Sequence, residues 1–249
     1  MTVLKTSETT FRKINQYFGK NRPFELTQAQ KSLLYEKWNI IDDNVGVCSS
    51  IFLIKIGSLK TLKYSQWLND QVINGYLNLI EQRSNISGFP KTKSLDVFFT
   101  TRTLENGQPW NMSGIFDFEV VIIPHNINNS HWTISVVFLK RKEILYYDSY
   151  HAENLNILEK IFTSLDLENV AAFGVELYRP DWKLNCVMNT SLQRNGVDCG
   201  CHALIIAENI SRRCLNFDFQ TKEINSYREK IAYEIIAGNL FEQKLCADF

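Results

Sequence analysis

Residues 118–148 read FEVVIIPHNINNSHWTISVVFLKRKEILYYD. Three runs in this stretch, Phe118–Ile123, Trp132–Leu139 and Ile144–Asp148, are rich in β-branched and aromatic side chains, which fit a pleated surface better than a helix. The polar segment Lys140-Arg141-Lys142-Glu143 joins the last two, so they predict a hairpin whose basic run is a solvated tip. Folding there brings His131 and Asp148 back to the same open end. Register counting leaves the two offset by a few residues. Direct contact therefore requires a bulge, or His131 displaced into the preceding loop.

Outward from this centre the period changes. Thr27 followed by Gln30 reads as a capping box, opening a helix through Leu33, Leu34 and Trp38. Ile51–Ile56 is a short β-like run. Trp67 to Arg83 carries Leu68, Val72, Ile73, Tyr76, Leu79 and Ile80 at spacings of three and four, an amphipathic helix. Downstream, a helix is expected from Glu153 to about Leu165 and a strand at Val175–Tyr178. A loop with Trp182 and Cys186 follows, then an apolar helix over Asp198–Arg213 and a terminal one over Thr221–Leu240. The fold class is α+β, a central mixed sheet flanked by helices. Residues 1–21 read as a polar tail or arm, and 22–249 as a single domain.

The chain has 249 residues, 45% hydrophobic and 22% charged, with 27 basic against 27 acidic side chains. That balance offers no bulk attraction for nucleic acid or an anionic membrane. No apolar run approaches the roughly 20 residues a spanning helix needs, and the N-terminus lacks a signal-peptide core. Six cysteines form no C-x-x-C pair, and the expectation is reduced thiols in cytosol or nucleus. A monomer is the default.

Cys199 stands out in Gln193-Arg194-Asn195-Gly196-Val197-Asp198-Cys199-Gly200-Cys201-His202. A polar loop runs into an apolar helix there, placing Cys199 at a helix N-terminus that favours a thiolate. Gln193 could return its amide beside the Cys199 N–H, an oxyanion-hole recipe. The plainer alternative is a buried cysteine starting a core helix. His131 and Asp148 supply a base and a carboxylate to orient it, with His125 and His151 as competing histidines. Trp67 and Trp132 are either core lids or the walls of a slot that admits only residues without side chains. The single-residue spacing of Cys199-Gly200-Cys201 and the lack of a second cluster argue against a metal.

Taken together, Trp67-Leu68-Asn69-Asp70, His131-Trp132, Tyr146-Tyr147-Asp148-Ser149 and Gln193 through Asp198-Cys199-Gly200 resemble the Ulp/SENP family of SUMO-specific cysteine proteases. The order His, Asp, Cys separates this group from papain-like enzymes, and the similarity in element order runs from about Pro23 to Leu240. The resemblance implies an Ulp/adenain-like fold with Cys199 as nucleophile, His131 as general base and acid, and Asp148 orienting the imidazole. It also implies that Gln193 holds the oxyanion, that Trp67 and Trp132 clamp a Gly-Gly tail, and that Asp70 meets a basic residue of the modifier. No metal or organic cofactor is implied. The implied activity is a thiol isopeptidase cutting after the Gly-Gly of SUMO, on conjugates or on the precursor. Relatives carry basic residues around the position of Trp110, where this chain has Pro109, Asn111 and Met112. A Nedd-type or ubiquitin modifier, an acyltransferase with the same triad order, and an inactive binding module are the rival readings.

Overall fold

The computed structural model describes residues 25–48, 53–110, 112, 114–215, 217, 219–243, 245 and 246. The expected arm at 1–21 lies outside them. Helix α1 (Gln28–Trp38) opens with the expected capping box, the Thr27 side chain accepting from Gln30 N while Gln30 answers to the Thr27 N–H. Strands β1 (Gly46–Cys48) and β2 (Leu53–Lys55) form a small antiparallel hairpin. The short helix α2 (Ile56–Lys60) leads to α3 (Asp70–Arg83). The latter begins later than the apolar spacing predicts, because the Asn69 side chain caps it by accepting from Val72 N. Trp67 and Leu68 are thereby left outside the helix.

The main sheet has five strands in chain order: β3 (Thr92–Ser94), β4 (Val120–Ile127), β5 (His131–Phe138), β6 (Glu143–Tyr147) and β7 (Lys183–Val187). β4, β5 and β6 are antiparallel, while the outer pairs β3–β4 and β6–β7 are parallel. The sheet is mixed, as the sequence indicates. β4 is apolar without alternation because both its faces are covered. Val120 and Ile122 enter one core, and Val121 and Ile123 the other. Helix α4 (Leu155–Phe173) covers the second face with Ile157, Leu158, Ile161 and Leu165. Helices α5 (Cys199–Ile210) and α6 (Ile224–Ala237) join α1 and α3 over the first.

Three expectations change. The strand predicted at Val175–Tyr178 is irregular, and the strand is β7, which contains Cys186. Side chains of α4 take the backbone groups a ladder would have used: Asp166 accepts from Leu177 N, and Asn169 donates to the Val175 carbonyl. Pro180 then sits in a short 3₁₀ turn. Helix α4 itself runs past Leu165 to Gly174, whose φ of 72° ends it. Finally, the cysteines are not all reduced. Cys214 and Cys246 are disulfide-bonded, because the C-terminal segment returns to the end of α5, with Cys246 N donating to the Arg212 carbonyl at 2.9 Å. Among the described residues no helix is long and apolar enough to cross a membrane.

Candidate active site

His131 is the first residue of β5 and pairs with Ile127 of β4, so it belongs to the strand and not to the loop before it. Residues 128–130 between the two strands form a tight hairpin turn, with Asn128 and Asn129 both at positive φ. The β5–β6 ladder ends at Ile134↔Tyr147. One further step places Thr133 opposite Asp148, which leaves His131 as a diagonal neighbour. That distance is within reach of an imidazole, and His131 Nε2 bonds Asp148 Oδ1 at 2.8 Å. Neither the expected bulge nor a displaced histidine is needed.

Cys199 is the first residue of α5 and only 3% exposed. Its neighbour Asp198 stands at the N-cap yet makes no capping bond. Arg228 of α6 takes one of its oxygens (2.7 and 3.0 Å), and Asn195 Nδ2 donates to the other (2.6 Å). The first N–H groups of α5 therefore keep their capacity to meet an anion. A side chain on Gly200 would place its Cβ 3.0 Å from Leu68. That bare position lets the segment before α3 lie directly on α5.

The electrostatics follow from these placements. Burial raises the Cys199 pKa, but hydrogen bonding and charge from His131, with the N–H groups of Trp132 and Gly200, outweigh it and leave the thiol below its ordinary value. Burial likewise lowers His131, and the hydrogen bonds and charges of Asp148 and Cys199 overcome that and raise it to about 9. Both shifts favour the thiolate–imidazolium form of the pair. Cys201, two residues on, is pushed up to about 12 by burial. It is inert as a nucleophile at neutral pH. Of the competing histidines, His125 is fully buried between Thr100 and Ser135, and burial lowers it to about 3. His151 bonds the Thr190 carbonyl.

Gln193 is buried, its Oε1 accepting from Ser149 Oγ at 2.7 Å. Its Nε2 donates to the Asn195 carbonyl and, at 3.2 Å, to Tyr150 Oη. The two tryptophans differ. Trp132 is 6% exposed and donates to the Leu68 carbonyl (2.7 Å), whereas Trp67 is 53% exposed and donates to the Gly196 carbonyl (2.7 Å). Both line a cleft of about 320 Å³ together with Asp70, Phe98, Glu105 and Ser130. Trp110 packs edge-on against Phe99 in the second core, so the indole is not a surface group. Among the described residues no three His, Cys, Asp or Glu side chains converge as a metal site. Tyr150, Asn195 and Arg228 escape the sequence reading. They sit in no helical or strand pattern with the groups they touch, and the chain carries no local signal for them.

Residues 66–240 match the family described as the Ulp1 protease family, C-terminal catalytic domain. A sentrin-specific protease of Caenorhabditis elegans is 31% identical over 86% of this chain and 32% of its own. Sentrin-specific protease 2 of Rattus norvegicus is 31% identical over 78% of this chain and 34% of its own. The chain thus spans about a third of the length of these relatives. Among solved structures, the C-terminal Ulp1 protease domain in complex with Smt3, the yeast ortholog of SUMO, superposes with a TM-score of 0.72. It is 23% identical and covers 88% of this chain and 98% of that one. The SUMO protease Ulp1 with its catalytic cysteine oxidised to a sulfonic acid gives 0.72 at 25% identity, over 86% and 97%.

Proposed function

Because the chain belongs to the Ulp1 protease family, and matches that family's catalytic domain, we propose that it is a cysteine protease that cuts after the C-terminal Gly-Gly of SUMO. Its substrates on this reading are lysine conjugates, the SUMO precursor, or both. The observation that carries the proposal is the His131–Asp148 bond beside a Cys199 thiol of lowered pKa on an uncapped helix end. Residues 22–249 are read as one catalytic domain, acting as a monomer in the nucleus or cytoplasm.

The Cys199 thiolate attacks the carbonyl carbon of the terminal glycine. A C–S bond forms and the carbonyl π pair moves to oxygen, where the Gln193 amide and the Cys199 N–H meet it. The C–N bond then breaks, and the leaving lysine amine takes its proton from His131. Neutral His131 next removes a proton from water. The resulting C–O bond replaces C–S and restores the thiolate. Trp67 and Trp132 flank the entering tail, and Asp70 in the same cleft offers a carboxylate to a basic residue of the modifier.

Electrophile-tipped SUMO, Nedd-type modifier and ubiquitin, each offered to wild type and Cys199→Ala, test this reading. A Cys199-dependent adduct with SUMO is expected. An adduct with another modifier alone would reassign the substrate. No adduct from a folded sample would overturn the protease reading.

A further inference from the structure

Tyr150 lies two residues beyond Asp148, and no step above employs it. Its backbone N–H donates to Asp148 Oδ1 at 2.7 Å. Its ring lies over that of His131, centroids 5.0 Å apart and planes 30° from parallel. Its hydroxyl donates to the Asn195 carbonyl at 2.6 Å and accepts from Gln193 Nε2 at 3.2 Å. One side chain thus touches the base, the oxyanion donor and the loop that leads into the nucleophile helix, while its own backbone holds the orienting acid. Tyr150 is 46% exposed, so apolar burial does not explain why it is held there.

We propose that Tyr150 is a positioning residue that aligns His131 through its ring and the Gln193 amide through its hydroxyl. The inference rests on the roles given above to Cys199, His131 and Gln193. A hydrogen bond to Asp148 fixes one edge of an imidazole but leaves its faces free. A phenol face against the ring restrains that freedom, and its π density favours the imidazolium form. The Gln193 amide is gripped at both ends, by Ser149 at oxygen and by Tyr150 and Asn195 at nitrogen. The amide is therefore held in one orientation before substrate arrives. A neutral hydroxyl is a weaker acceptor than an oxyanion, so the amide can exchange one for the other as charge develops. The ionisable groups acting on Tyr150 are Cys199, Asp148 and Asp198. Those acting on His131 are Asp148 and Cys199.

Two variants of the full chain separate ring from hydroxyl. Tyr150→Phe keeps the ring, and Tyr150→Leu removes it while still covering the imidazole with apolar atoms. The readouts are imidazole NMR titration of His131, which needs no substrate, and kcat and KM on SUMO fused at Gly-Gly to a fluorophore. Tyr150→Phe should lower kcat about fivefold to tenfold at unchanged KM, with the His131 midpoint unmoved. Tyr150→Leu should lose as much and also lower the midpoint by about half a unit. Wild-type kcat in Tyr150→Phe would overturn the hydroxyl's part, as would a loss confined to KM. An unmoved midpoint in Tyr150→Leu would overturn the ring's part. If wild type cleaves no modifier, the protease reading fails while the titration still decides the ring.

Discussion

His131 and Cys199 share one proton economy, and each residue's environment has meaning only through the other. Asp148, 4% exposed, keeps the imidazole charged despite its burial. In the proposed reaction the leaving amine needs that imidazolium, so hydrolysis should persist through neutral pH and fall as His131 loses its proton near pH 9. Asp148→Asn keeps the shape and removes the charge. It should move the falling limb to lower pH and reduce kcat by about 10²–10⁴-fold. A pH–rate profile of both proteins checks this, and superimposable profiles would refute it. The place of Cys199 at the start of α5 was legible in the sequence because a polar loop entering an apolar helix is a local pattern. Tyr150 was not, because its partners lie up to 45 residues away along the chain.

At the scale of elements, α5 with Cys199 at its start is positioned from behind by α6. Arg228 is fully buried, and besides Asp198 it donates to the carbonyls of Thr61, Lys63, Gln66 and Val197. One guanidinium therefore ties the residues before Trp67 to those before Cys199, joining the cleft wall to the start of α5. Arg228→Met would strand the Asp198 carboxylate in the interior and should cost about 3–5 kcal/mol. Adding Asp198→Asn should recover part of that loss by removing the stranded charge. Urea unfolding of the single and double variants measures it, and a double variant no more stable than the single would contradict the account. The irregular segment 175–178 shows the converse, where α4 side chains outbid a strand that local propensity favours.

Across the described residues the sheet is covered on both faces, and its open end carries His131 and Asp148 while the segment ending at Cys246 is fastened elsewhere. The Cys214–Cys246 bond closes a separation of 32 residues just past the far end of α5. A loop of that size is worth about 2–4 kcal/mol in the unfolded-chain account. Helix α5 has 12 residues, so its ends stand about 18 Å apart. Reductant, or Cys246→Ser, should therefore lower the unfolding free energy by about 2–4 kcal/mol and leave kcat unchanged. Chemical denaturation and turnover with and without reductant test this together. A fall in kcat at full folding would mean that the bond reaches the active site.

By itself the sequence determined what depends on neighbours in the chain. The capping box at Thr27, the hairpin at 140–143, the helix that follows Asp198 and the antiparallel run of central strands are set by turn chemistry and hydrophobic period, which act over a few residues. The tertiary structure alone decided what depends on packing across the chain. It joined His131 to Asp148 diagonally, where register counting along the strands called for a bulge. It left Trp67 exposed and buried Trp132, though the sequence reads both as tryptophans at element ends. It paired Cys214 with Cys246 and brought Arg228 under Asp198. Such contacts are fixed by which surfaces meet when both sheet faces are buried, and residue type along a single segment does not encode that meeting.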